Sequence, residues 1–230
     1  MTVITMNGQW GSGVLEVGAQ VARQLNYDYV DRIILAQAAD RLGASVETLI
    51  EKDQRLLTLG ERLARFMQRL MEHSASSSGG DPYFGPGLGI LLGQDYLEAV
   101  AAPSTQAEKL VDQHFIEATR DVIIDLSKGG NVVIIGRASN LILKDHPSAF
   151  HVGLISSNME SRIGVIVKRE GVSRTEAEKS IMEHQRAWET YYKKFFNAET
   201  IDPANFHVIL NTSQIEQDQV ANIIINAASA

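Results

Sequence analysis

The sequence predicts an α/β protein whose parallel sheet is covered by helices on both faces. Three observations carry this reading. Short strand-like segments alternate with helical patterns along the chain. Those segments are near-continuously apolar, as strands buried on both sides are. A glycine-rich turn joins the first segment to the first helix, and no internal repeat intervenes.

The elements follow in order. Residues 2–6 are short, β-branched and read as a buried strand. Residues 7–13 form the glycine turn. Val14, Val17, Val21, Ala22 and Leu25 then recur at helical spacing. A brief strand around Tyr29 and Val30 leads directly to Asp31. Residues 32–42 and 45–57 read as helices on either side of Gly43, and 56–71 shows an amphipathic pattern.

Composition changes at 74–102. Six of the 18 glycines and two of the five prolines lie between Gly79 and Gly93, behind a serine-rich tract. This predicts a long mobile insertion at about 74–105. Residues 106–127 return to helix. Residues 131–135, 150–155 and 206–210 read as three further strands, the first ending in Gly136-Arg137. Ser157-x-x-Glu160, Ser173-x-x-Glu176 and Ser213-x-x-Glu216 have capping-box spacing and predict three helix starts. The middle one opens a helix to about residue 195.

Composition bounds the function. The 230 residues include no cysteine, which excludes a disulfide scaffold, a thiolate metal site and a cysteine nucleophile. A net charge of −7 argues against a nucleic-acid polymer or a membrane surface as partner. No basic, apolar leader opens the chain and no apolar run approaches a membrane span, so a soluble cytoplasmic protein is expected. The six histidines show no helical i, i+4 pair, so no metal site is expected. Trp10-Gly-Ser-Gly-Val14 lacks the outer glycines of a serine-hydrolase elbow.

The opening strand, glycine loop and helix place backbone amides and a helix dipole end at one spot, a ready phosphate site. A tight turn that simply needs glycines is the alternative. The spacing Gly8-x-x-Gly11-Ser12-Gly13 is followed by Val14-Leu15, where a Walker A motif has Lys-Ser/Thr. Lys52 is the first lysine of the chain. Any phosphotransfer must therefore take its positive charge from arginines. Arg137, at the end of a strand, stands where open α/β sheets gather ligands, or else pairs with a helix terminus at the surface. Segment 158–194 holds eight Lys/Arg against six Asp/Glu, so the rest of the chain carries −9. Trp10 could stack on a base, but packing suits it better. Trp188, Tyr191, Tyr192, Phe195 and Phe196 read as a core stripe or a partner-helix face.

In chain order these features resemble the cytidylate kinase-like family of P-loop phosphotransferases. The motifs are Gly11-Ser12-Gly13-x-x-Glu16, Tyr29-Val30-Asp31, Gly136-Arg137-Ala138-Ser139-Asn140, Arg162, Gly171-Val-Ser173-x-x-Glu176, Gln185-Arg186 and Asn211-Thr212. The likeness covers roughly 1–50 and 110–230. It implies a single P-loop NTPase-like domain over 1–230, three-layer α/β/α, with a mostly parallel five-stranded sheet and a helical lid at about 158–195.

It also implies a phosphotransferase moving the ATP γ-phosphate, with Mg²⁺, to a nucleoside monophosphate or similar acceptor. The cofactor would bind at Gly8, Gly11, Ser12, Gly13 and Arg162. Asp31 and Arg137 would face the acceptor, and Arg137, Arg169 and Arg186 would serve catalysis, Arg174 being a further lid candidate. The implied partner is a small nucleotide or phosphate ligand, and a homo-oligomer is compatible with it. Val14, Leu15 and Ala138 depart from the family pattern. A nucleotide- or anion-binding module without catalysis is the alternative.

Overall fold

The computed structural model describes residues 2–31 and 106–229. The helices expected within 32–71 and the insertion at 74–105 lie outside the described residues. Five strands form one sheet: β1 (Val3–Gly8), β2 (Asp28–Val30), β3 (Val132–Ile135), β4 (Ala149–Ile155) and β5 (Val208–Asn211). Their order is β2-β3-β1-β4-β5, and every pairing is parallel. The helices are α1 (Val14–Leu25), α2 (Gln106–Gly129), α3 (Ser139–Ile142), α4 (Met159–Glu170), α5 (Arg174–Phe196) and α6 (Gln217–Ala228).

The strand pleat sorts the core into two layers. Ile4 and Met6 of β1 join Val133, Ile135, Val152 and Leu154 on one face, under α1 and α6. Val3, Val132 and Ile134 face the other way, against Val122 and Ile123 of α2. The fold is therefore a three-layer α/β/α sandwich with a fully parallel sheet. Central β1 pairs with β3 on one side and β4 on the other, so chain order reverses across it. Such a switch point opens a crevice at the carboxyl edge of the strands.

Two of the three expected caps are corrected. Ser173 caps α5 in a complete capping box with Glu176, as its spacing predicts. Helix α4 is capped by Asn158 rather than Ser157. The Ser157 hydroxyl is taken by Ser213 and Asn211 across the ends of β4 and β5. Ser213 spends its amide and hydroxyl on Asn211 Oδ1, so α6 starts later, after Glu216 and without a side-chain cap.

Candidate functional site

The loop after β1 is tied to the next strand. Gln9 N–H donates to the Leu154 carbonyl, and Gln9 Oε1 accepts from Ser156 N–H. Gly11 lies at φ +83°, and a Cβ there would sit 2.7 Å from the Arg162 carbonyl oxygen. Only glycine meets both constraints. Gly13 precedes α1 without offering a side-chain cap. Its first-turn amides therefore keep their donor capacity at the crevice. Ser12 is buried, and its Oγ has no hydrogen-bond partner.

The positions after the loop are apolar in space as well as in sequence. Val14 belongs to the core under α1, and Leu15 packs against both that core and the cluster between α4 and α5. Residues 7–13 of the loop include no charged side chain.

Trp10 packs, as its setting suggested. Its indole lies between two side chains of the helical pair. Arg169 covers the ring at 4.2 Å, and His184 stacks on it at 4.1 Å with planes 4° apart. The indole N–H donates to Ser180 Oγ at 3.0 Å. Ile163, Ile166, Ala177 and Ile181 complete this cluster, so the loop residue forms part of the core of α4 and α5.

The arginines separate by environment. Arg162 is buried, and its Nε donates to the Trp10 carbonyl at 2.8 Å. Burial holds its pKa below the ordinary value. Besides covering Trp10, Arg169 pairs with Glu170 at 2.7 Å and lies 3.6 Å from Glu16. Arg174 makes a two-pronged pair with Glu160 on the surface, which holds that carboxyl below its usual range. Arg186 is exposed, two residues from both His184 and Trp188, and so on the opposite side of α5.

Arg137 occupies an elbow between β3 and α3. Gly136, Arg137 and Ala138 have φ of +78°, +53° and +54° in succession. Two non-glycine residues in the left-handed region store strain, which clusters at functional sites. Arg137 is buried, and Asp31 is buried just past β2. A cavity of about 60 Å³ lies between this elbow and the loop. Asn7, Gly8, Trp10, Val14, Arg137 and Trp188 line it. The structure thus brings together Gly8 and Arg137. Arg186 lies outside this cavity.

Sequence reasoning missed a polar cluster beneath it. The Tyr192 hydroxyl lies 3.2 Å from Asn7 Oδ1 and 3.1 Å from Asn140 Oδ1, its one proton shared between them. Asn7 Nδ2 donates to Ser139, and Asn140 Nδ2 donates to the Asn205 carbonyl. A polar residue at the end of an apolar strand was the available signal for Asn7. Among the described residues no group of three or more His, Asp or Glu could hold a metal ion, and no helix is long and apolar enough to cross a membrane.

Comparisons with known proteins add an independent view. The family model described as cytidylate kinase-like matches residues 3–214. A cytidylate kinase of Methanocaldococcus jannaschii is 28% identical over 105 residues, 45% of this chain and 59% of that protein. The match therefore spans under two thirds of that relative. The solved structure of an uncharacterized protein from Eubacterium ventriosum superposes with a TM-score of 0.64 at 13% identity, covering 100% of this chain and 99% of that one. That likeness concerns the fold alone.

Proposed function

Because the chain belongs to the cytidylate kinase-like family, we propose that it moves the ATP γ-phosphate to a nucleoside monophosphate or a similar small phosphate acceptor. One observation carries this reading: a single cavity is shared by the glycine loop and Arg137. In-line transfer requires donor and acceptor phosphates side by side, with positive charge between them.

Gly8, Gly11, Ser12 and Gly13 would hold the ATP phosphates, with Arg162 beside them. The uncapped start of α1 and the partnerless Ser12 Oγ suit an anion there. Asp31 and Arg137 would orient the acceptor, the planar guanidinium gripping phosphate oxygens in pairs. The 60 Å³ cavity is far smaller than the roughly 300 Å³ or more of a ligand pocket. His184 and Trp188 of α5 line it, so α5, with α4 packed against it, would open for a nucleotide to enter, acting as a lid. That movement would free Arg169 from Trp10 and carry Arg169 and Arg186 toward the phosphates, while closure would exclude water.

The residues present fit phosphates better than they fit Mg²⁺. Leu15 stands where a metal-binding hydroxyl is expected, so Mg²⁺ would arrive on the nucleotide. This reading implies a protein working in the cytoplasm, where ATP is supplied.

Val14 and Leu15 favour a second reading. A loop with apolar residues at both positions can bind a nucleotide or anion without transferring a phosphoryl group. Incubating the protein with ATP, Mg²⁺ and a panel of nucleoside monophosphates separates the two. ADP formation supports the kinase. Nucleotide-dependent thermal stabilisation without turnover supports the binding module. Absence of both signals overturns the phosphate-loop reading.

A further inference from the structure

We propose that Tyr192 is a positioning residue: from α5, its hydroxyl sets the spacing between the glycine loop and the Arg137 elbow, and so between phosphate donor and acceptor. This rests on the transfer proposed above and names what holds its two halves in line.

The register between β1 and β3 ends at Met6 and Ile135, with one further bond from Gly136 N–H to the Met6 carbonyl. Beyond it the two chains part. β1 runs into the glycine loop, and β3 turns through Gly136, Arg137 and Ala138, all at positive φ. Asn7, Gly8, Gly136 and Arg137 line the cavity, so it opens where the hydrogen bonds between β1 and β3 stop. Its two walls need another tie.

Tyr192 supplies it. Its hydroxyl lies between two side-chain carbonyls, 3.2 Å from Asn7 Oδ1 and 3.1 Å from Asn140 Oδ1. Asn7 immediately precedes Gly8, and Asn140 stands one short turn past Arg137, in α3. All three residues are 1% exposed or less, so water does not compete for these bonds. The direct bond from Asn7 to Ser139 is long, at 3.4 Å, and is the weaker link. Asn140 is anchored on its far side, because its Nδ2 donates to the Asn205 carbonyl and Asn205 in turn bonds Asp202. Ala138 packs in the same cluster as the Tyr192 ring. Removing the hydroxyl therefore frees Asn7 from a frame that otherwise holds still. Helix α5 also brings His184 and Trp188 to the cavity wall, so closing α5 and fixing the spacing are one event. Alignment is demanding, since a misplacement of about 1 Å can cost about a hundredfold in rate.

Two nucleosides joined through a pentaphosphate, adenosine at one end and each common nucleoside at the other, read the spacing directly, because this probe must span both halves at once. Wild type, Tyr192→Phe, Asn140→Ala and the control Ile224→Val, buried in α6, would be compared. Calorimetry gives Kd for the bridged probe and for ATP, and steady-state assays give kcat and KM. Wild type and Ile224→Val should bind the bridged probe more tightly than ATP. Tyr192→Phe should bind it about tenfold more weakly and lose about tenfold or more in kcat, while the Kd of ATP and both KM values stay within about twofold. A hydroxyl with only a structural role would weaken every ligand alike, or none.

Unchanged bridged affinity in Tyr192→Phe, or an equal loss for ATP, would overturn the proposal while leaving the kinase reading standing. If Tyr192→Phe fails to fold, Asn140→Ala, which cuts only the elbow side of the tie, must show the same selective loss; any other result there makes Tyr192 structural and overturns the proposal. Where wild type turns over without favouring the bridged probe, the fall in kcat at constant KM decides alone. Wild type that neither favours the probe nor forms ADP with any monophosphate defeats this inference and the proposed function together.

Discussion

The His184 imidazole lies parallel to the Trp10 indole, ring centroids 4.1 Å apart. One ring belongs to the glycine loop and the other to α5. With Arg169 on the opposite face of the indole, the loop and the helical pair are held together by one flat side chain. Any movement of α4 and α5 would therefore disturb the loop.

Trp10→Ala removes both stacking partners, the bond to Ser180 and the centre of an apolar cluster. A buried Trp→Ala change costs about 3–5 kcal/mol, and this one should fall in that range in urea unfolding. Trp10→Phe keeps a ring between Arg169 and His184 and loses mainly the indole N–H bond. It should cost about 1 kcal/mol beyond the lost ring area. Equal costs for the two variants would show that stacking contributes little.

Tyr192→Phe isolates a different contact. The hydroxyl serves Asn7 and Asn140, both fully buried. Its removal leaves a side-chain carbonyl unsatisfied, at a cost of roughly 1–3 kcal/mol. Asn7→Ala combined with Tyr192→Phe should cost less than the sum of the single changes, which a double-mutant cycle measures.

Stability should fall in mild acid because of His151. It is buried beside Thr5, whose Oγ1 lies 2.7 Å from Nδ1. Burial, then repulsion from His207 and His146, lowers its pKa from 6.5 to about 4. The unfolded chain takes up this proton near pH 6.5, and the folded chain only near 4. The stabilisation is thus complete above pH 6.5 and is lost progressively as pH falls toward 4. Urea midpoints across this window should drop for wild type, and the drop should be shallower in His151→Asn, which cannot titrate. Parallel curves would remove His151 as the cause.

Arg137→Ala should weaken ligand binding with little effect on folding. Alanine bears the left-handed conformation at φ +53° at about the cost arginine does, so the elbow survives. Hydrogen bonds to charged groups contribute roughly 1.5–3 kcal/mol, so nucleotide affinity or turnover should fall about tenfold to hundredfold. An unchanged thermal shift with the acceptor nucleotide would take Arg137 out of the site.

Local pattern made most of the described sheet legible. The apolar runs around Ile4, Val133 and Val152 announced strands, and Ser173-x-x-Glu176 announced a helix start, because period and capping act within a few residues. The same local logic failed at Ser157 and Ser213, whose hydroxyls are claimed by Asn211 and by each other between β4 and β5. Capping spacing carries no information about such cross-strand competitors. In the candidate site, Gly8 was legible as part of the glycine turn, and Arg137 as the end of a predicted strand. Tyr192 and His184 were not, since their partners come from the loop, β1 and α3.

By itself, the sequence determined the α/β class, the glycine loop and the absence of a lysine from it. Tertiary structure decided how the arginines divide: Arg162 is buried against that loop with its Nε on the Trp10 carbonyl, whereas Arg186 is exposed. The reason is physical. Glycine spacing and apolar period act between near neighbours, whereas burial and charge pairing depend on where the parallel sheet and the packing of α4 and α5 bring residues 152 positions apart.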